Sequence, residues 1–334
     1  MALKLAVYGY DTDIGKLVIE TLEEQHLPLD DFFPLSPLSG EYDAVMIDKK
    51  NYFVEAVDSF DFSKANVVLL LSTQDESSRV ISMAQEKGCV VIDNSHLFSG
   101  TDKGELVVPE LNPYDIKHGI DKKLIVPAMA PSLMLLLLLS AVSDEYGLAR
   151  VNVTSLESVS ELGRLGTETL AHESTMLLNG LPAEHPGFEA QLAFNLHPRI
   201  GAVDEDGYSD HENIIKYEVK EILGKIERGF DITCMQVPVF YGHTMSVSVE
   251  TEDYATLDDI KNVFSNSALI SFNDIDAFLT PVTDIINERK IMVSRLRQDN
   301  TCAKTFSFIA MMDNTRRGEA INLVELVKLV EKSL

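Results

Sequence analysis

Residues 3–22 read LKLAVYGYDTDIGKLVIETL. Leu3 to Tyr8 is a strand candidate. Gly9, Thr12 and Gly15 follow it, and Ile14, Leu17, Val18, Thr21 and Leu22 recur at helical spacing. A strand that passes through a glycine turn into a helix is the usual start of a parallel α/β sheet. The texture repeats for 130 residues. NVVLLLS (66–72), CVVIDNS (89–95), ELVVPEL (105–111) and LIVPAM (124–129) are continuous apolar runs, and ESSRVISMAQEKG (76–88) is a helix that stops at Gly88. Continuous rather than alternating strands predict a sheet covered on both faces.

Beyond the leucine block that starts at Leu133 the pattern changes. RVNVTSLESVS (150–160), DITCMQVPVFYG (231–242), TMSVSVETE (244–252), KIMVSRLRQ (290–298) and KTFSFIAMM (304–312) alternate, while 164–179 and 212–226 read as helices. Alternation fits a sheet with helices on one face. Met245, Val247 and Val249 are expected on its outward face. Arg316 to Leu334 is amphipathic, with Leu323, Leu326, Val327 and Val330 in phase. The predicted fold class is α/β. A Rossmann-like parallel-sheet domain spans 1–131 and is completed by helix 316–334. An α+β domain with a large mixed sheet spans 132–315.

Charge narrows the function. With 28 Lys+Arg against 53 Asp+Glu the net charge is −25, which opposes nucleic acid and anionic membrane surfaces. The three cysteines, Cys89, Cys234 and Cys302, show neither metal nor disulfide spacing, and the histidines form no HExxH; no metal is expected. The opening MALKLAVYGY lacks the pattern of a signal peptide, and Leu133 to Leu139 falls short of the ~20 residues of a membrane helix. A cytoplasmic setting is expected.

The first loop admits two readings. Gly9, Thr12, Asp13, Ile14 and Gly15 stand where a dinucleotide-binding loop brings backbone N–H groups to a pyrophosphate. Thr12, however, takes the middle glycine position, and Asp11 and Asp13 bring carboxylates where phosphate would lie. The alternative is a loop capped by its own Asp13.

Across its length the chain resembles the aspartate-semialdehyde dehydrogenase family. The resemblance rests on the glycine loop, VIDNS (91–95), LVVPELNP (106–113), VTSLESVSELG (153–163), LLNG (177–180), QLAFN (191–195), VPVFYGH (237–243) and DNTRRGEA (313–320). In detail it is most similar to the Usg-type paralogues of that family. The resemblance implies a homodimer, NAD or NADP as cofactor, a small-molecule ligand and a place in amino-acid (aspartate-family) metabolism. It implies a histidine acid/base at His243 and an asparagine near the nicotinamide at Asn314.

The departures from the family pattern share a direction. The family builds a thioester on a cysteine in an Asn-Pro-Asn-Cys turn, and that cysteine falls on Ala130, in VPAMAP (126–131). Alanine has no nucleophile. The glutamine before the next turn becomes Glu157, the arginine for substrate carboxylate becomes Gln236, and the arginine for phosphate becomes Ser99. The substrate lysine falls on Ile214, the phosphate-loop glycines become Gln74 and Asp75, and PLSPLSG (34–40) lacks the arginine for an NADP 2′-phosphate. Each charged hydrogen bond lost costs ~1.5–3 kcal/mol. The expectation is a chain without phosphorylating semialdehyde dehydrogenase activity that binds a ligand or partner and binds NAD or NADP weakly or not at all. The alternatives are a related NAD(P)-dependent oxidoreductase using His243, or an NAD(P)-dependent semialdehyde dehydrogenase with another nucleophile.

Overall fold

The computed structural model describes residues 3–37, 43–273 and 276–334. The part of PLSPLSG from residue 38 onward lies outside them. The chain divides into two compact units: Met1–Met129 with Glu319–Leu334, and Ala130–Gly318.

The first unit is built from β1 (Lys4–Tyr8), α1 (Asp13–Glu24), β2 (Asp31–Ser36), β3 (Ala44–Ile47), β4 (Lys50–Phe53), β5 (Glu55–Ala56), β6 (Val67–Leu70), α2 (Gln74–Glu86), β7 (Val90–Asp93), β8 (Glu105–Val107), α3 (Ile116–Lys122) and β9 (Leu124–Pro127). Seven of these strands form a wholly parallel sheet in the order β5-β2-β1-β6-β7-β9-β8. Among the described residues β3 and β4 pair with each other alone. The two faces of β1 explain its apolar run from Leu5 to Tyr8. Leu5 and Val7 pack with Val18 and Leu22 of α1 and with Leu323, Val327 and Val330 near the C-terminus. Ala6 and Tyr8 pack with Val80, Ile81 and Ala84 of α2. Both faces are thus shielded, as continuous strands require.

The second unit starts with α4 (Ala130–Tyr146), whose residues from Ala130 to Leu139 are all buried. It continues through β10 (Arg150–Glu157), α5 (Gly163–Leu178), α6 (Asp210–Leu223), β11 (Phe230–Gln236), β12 (His243–Glu250), α7 (Leu257–Asn266), β13 (Ile270–Phe272), β14 (Ile291–Gln298) and β15 (Thr305–Met312). The sheet order is β11-β10-β12-β15-β14-β13. β10–β11 and β13–β14 are parallel and the other three pairs antiparallel, so the sheet is mixed. α6 packs on β11, and α7 on β13 and β14.

Two expectations need correction. Met245 and Val247 are 0% exposed and Val249 1%, so they face the helices and not the outside. Alternation shows that the faces differ, but helix placement decides which one is covered. The open face carries Thr154, Ser246 and Ser248 instead. The C-terminal segment is not one uniform α-helix either. Asn314–Ile321 is π-helical and only Asn322–Ser333 (α8) is α-helical. Widened turns of this kind are frequent at functional sites.

Candidate functional site

The glycine loop of the first unit is closed on itself. Gly9 has φ +88°, and a Cβ there would lie 2.5 Å from the Leu71 carbonyl oxygen; a Cβ on Gly15 would lie 2.2 Å from the Gly9 carbonyl oxygen. Both positions demand glycine. Thr12 is the N-cap of α1. Its Oγ1 accepts from Gly15 N at 3.0 Å and donates to Gly9 O at 2.7 Å. The cap is therefore Thr12 and not Asp13, because a threonine one residue before the helix has the reach that a first-turn aspartate lacks. Asp11 and Asp13 are exposed, and Ile14 packs on the core.

Elsewhere in this unit Gln74 and Asp75 open α2, whose N-cap, Thr73, makes no side-chain cap hydrogen bond. Ser99 is 9% exposed, and its Oγ is 3.2 Å from His96 Nδ1.

The remaining predicted residues lie in the second unit. Ala130 begins α4 and is 1% exposed. A Cβ on Gly318 would stand 2.7 Å from the Ala130 Cβ, so the Ala130 methyl lies against the Gly318 backbone. Ile214 is half-buried on α6.

Glu157, Gln236, His243 and Asn314 converge where β10 and β11 end and β12 begins. Glu157 and Gln236 are register partners, and Gln236 Nε2 donates to the Glu157 carbonyl oxygen at 2.6 Å. His243 is fully buried. Its Nδ1 accepts from Ser158 N at 3.2 Å, which puts the ring hydrogen on Nε2, 3.0 Å from Glu161 Oε2. Burial alone would raise the Glu161 carboxyl; the hydrogen bond and electrostatic pull of the His243 Nε2–H outweigh it and hold the group below its usual range. Asn314 is spent on scaffolding. Its Oδ1 accepts from Gly242 N at 2.9 Å and from Ser158 and Ser160 hydroxyls, and its Nδ2 donates to Ser160 Oγ at 3.0 Å.

Sequence reasoning missed Glu161 and His211. Glu161 stood in a quoted motif, and its partner is 82 residues away. His211 sits in the first turn of α6, and its Nε2 lies 2.7 Å from Glu157 Oε2 inside the fold. Burial opposes charge on both groups, yet each sustains the other. Glu157 is held down to about 2 and His211 up to about 9. No spacing signal marks this pair.

None of the cysteines is poised as a nucleophile in place of residue 130. Cys89 hydrogen-bonds to the Phe62 and Ala65 carbonyls, and burial pushes its thiol up to about 11. Cys234 shares the covered face of β11 with Gln236, as its two-residue spacing predicts. Burial and then the Glu157 charge push its thiol up. Cys302 lies in the turn between β14 and β15, away from both groups of residues in sequence. A thiolate is the reactive form, and burial works against it.

Two units of this build, a parallel dinucleotide-type sheet and a mixed sheet under helices, define the semialdehyde-dehydrogenase class. The model of the semialdehyde dehydrogenase NAD-binding domain matches residues 4–119, and that of the semialdehyde dehydrogenase dimerisation domain matches 139–317. The aspartate-semialdehyde dehydrogenase of Shewanella violacea is 32% identical over 98% of this chain and 97% of its own. The crystal structure of aspartate semialdehyde dehydrogenase II from Vibrio cholerae superposes with TM-score 0.93 at 30% identity, covering 99% of each chain. An aspartate semialdehyde dehydrogenase with NADP from Candida albicans, 17% identical with TM-score 0.72, shares the fold over 99% of each chain. The chain belongs to the aspartate-semialdehyde dehydrogenase family.

Proposed function

We propose that this chain is a Usg-type member of its family that does not carry out thioester chemistry and acts as a binding or partner protein. The observation that carries the reading is Ala130. It heads α4 with its methyl against Gly318 and offers no nucleophile. Supporting it, Gln236 and Ser99 stand where the family places cationic anchors, and neither can form a bidentate bond to carboxylate or phosphate. Thr12 Oγ1 already occupies the Gly15 N–H, one of the donors a pyrophosphate would use.

The proposed cofactor affinity is weak or absent, with NAD ahead of NADP. The proposed assembly is a homodimer, and the proposed setting is cytoplasmic. The second reading, an NAD(P)-dependent oxidoreductase, is favoured by the His243–Glu161 pair, which could pass a proton.

The deciding assay follows reduction of NAD and of NADP, each at millimolar concentration, with aspartate semialdehyde and phosphate. The wild-type chain is expected to show none, and Ala130→Cys alone none. Ala130→Cys combined with Gln236→Arg and Ser99→Arg is expected to recover some. Cysteine-dependent turnover by the wild type sinks the reading.

A further inference from the structure

Where α6 crosses the edge of the six-stranded sheet, three ligand-type side chains meet. Glu157, His211 and Cys234 each offer one ligand atom, these atoms lie within 4.8 Å of one another, and all three residues are buried. Ser155 and Glu157 of β10 pair in register with Cys234 and Gln236 of β11, so one face of two strands supplies the thiol and the carboxylate, and α6 lowers the imidazole onto them. A second observation points to a missing occupant. Gln236 is 4% exposed, its Nε2 is bonded to Glu157 O, and among the described residues no group donates to its Oε1. Buried acceptors without a donor are rare and cost ~1–3 kcal/mol.

We propose that this cluster is a zinc site, with Cys234 Sγ, His211 Nε2 and a Glu157 carboxylate oxygen as ligands and a water at the fourth position that donates to Gln236 Oε1.

The dimensions agree. Zinc–nitrogen and zinc–oxygen bonds of ~2.0–2.2 Å and a zinc–sulfur bond of ~2.3 Å put tetrahedral ligand atoms ~3.3–3.7 Å apart. That span lies inside the 4.8 Å envelope. His211 Nε2 and Glu157 Oε2, now 2.7 Å apart, need to part by about 0.6–0.8 Å. The charges also balance. Without metal the cluster holds a carboxylate, an imidazolium and a neutral thiol. Zinc replaces the imidazolium proton and the thiol proton, so the bound cluster of Zn²⁺, carboxylate, imidazole and thiolate has the same zero charge, and two protons leave to solvent. Neither state buries a net charge. One sulfur, one nitrogen and one oxygen donor suit zinc or cobalt and do not suit magnesium or calcium.

A competing cluster lies in the first unit. Glu105, Asp115 and His118 also approach one another. It has no sulfur, and Lys122 Nζ already holds Glu105 at 2.7 Å.

The test titrates chelator-stripped protein with cobalt. One cobalt per chain is expected, with a thiolate-to-cobalt charge-transfer band in the near ultraviolet that zinc abolishes. Zinc addition should release two protons per chain in weak buffer. Cys234→Ser should lose the band and weaken zinc by more than the ~10–100-fold of an outer-shell change. Glu105→Gln with His118→Gln should keep band and affinity. The wild-type spectrum decides even if the serine variant folds poorly. Cobalt bound without a thiolate band, a band that survives Cys234→Ser, or no metal retained at micromolar concentration overturns the proposal.

Discussion

At the scale of residues, the second unit is organised around buried polar groups that satisfy one another. Asn314 ties Gly242, Ser158 and Ser160 together, and Ser158 in turn fixes the ring of His243. Asn314→Ala is therefore expected to destabilise the chain, because it orphans several buried donors at ~1–3 kcal/mol each. Asn314→Asp keeps the acceptor for Gly242 and should cost less. Urea unfolding of both variants checks the order, and equal losses would refute the latch. Glu161 predicts a pH dependence. Its folded-state carboxyl is held below the usual range by His243. It thus contributes stability that is complete above the unfolded carboxylate value, ~4.3, and is lost as pH falls through the lower folded value. Glu161→Gln should be less stable than wild type at pH 7, with the gap closing as pH falls toward ~3. Thermal melts that keep a constant gap from pH 7 to pH 3 would contradict this.

At the scale of elements, the first loop and helix decide what the dinucleotide-type sheet can bind. Thr12 caps α1 and takes the Gly15 N–H. Thr12→Ala should cost ~0.5–2 kcal/mol in denaturant titrations, in line with a lost N-cap. Gly9→Ala should cost more, since it adds a methyl 2.5 Å from a carbonyl oxygen at φ +88°. If the two cost the same, the loop relaxes more freely than its geometry implies. Calorimetry with NADP and NAD belongs here too. Weak or undetectable heat with both is expected, any residual binding favouring NAD. Tight NADP binding by the wild type would show that Thr12 is no obstacle.

At the scale of the whole molecule, the charge of −25 and the open sheet face bear on association. Thr154, Ser246 and Ser248 line the uncovered face, a small-residue surface with no formal charge at these positions. The matched dimerisation domain spans them. A homodimer joined through this face is the expected assembly, and Thr154→Arg with Ser246→Arg should shift it to monomer in light scattering. A wild-type monomer at micromolar concentration would remove the expectation. Among the described residues no helix is long and apolar enough to cross a membrane.

The amino-acid sequence by itself determined the layers. Unbroken apolar strands demand cover on both faces, alternating ones on a single face, and Gly9, Gly88 and Gly180 mark turns with positive φ. These are local consequences of side-chain periodicity and steric freedom. Only the tertiary structure decided which face of β12 the helices cover, that Thr12 and not Asp13 closes the first loop, and that the last helix opens with a π-helical turn at Asn314–Ile321. Only it brought His243 to Glu161 and set Glu157, His211 and Cys234 side by side. Their partners are 54 and 82 residues apart in the chain. Strand register and helix docking create such contacts, and neither is written in the spacing of any single segment.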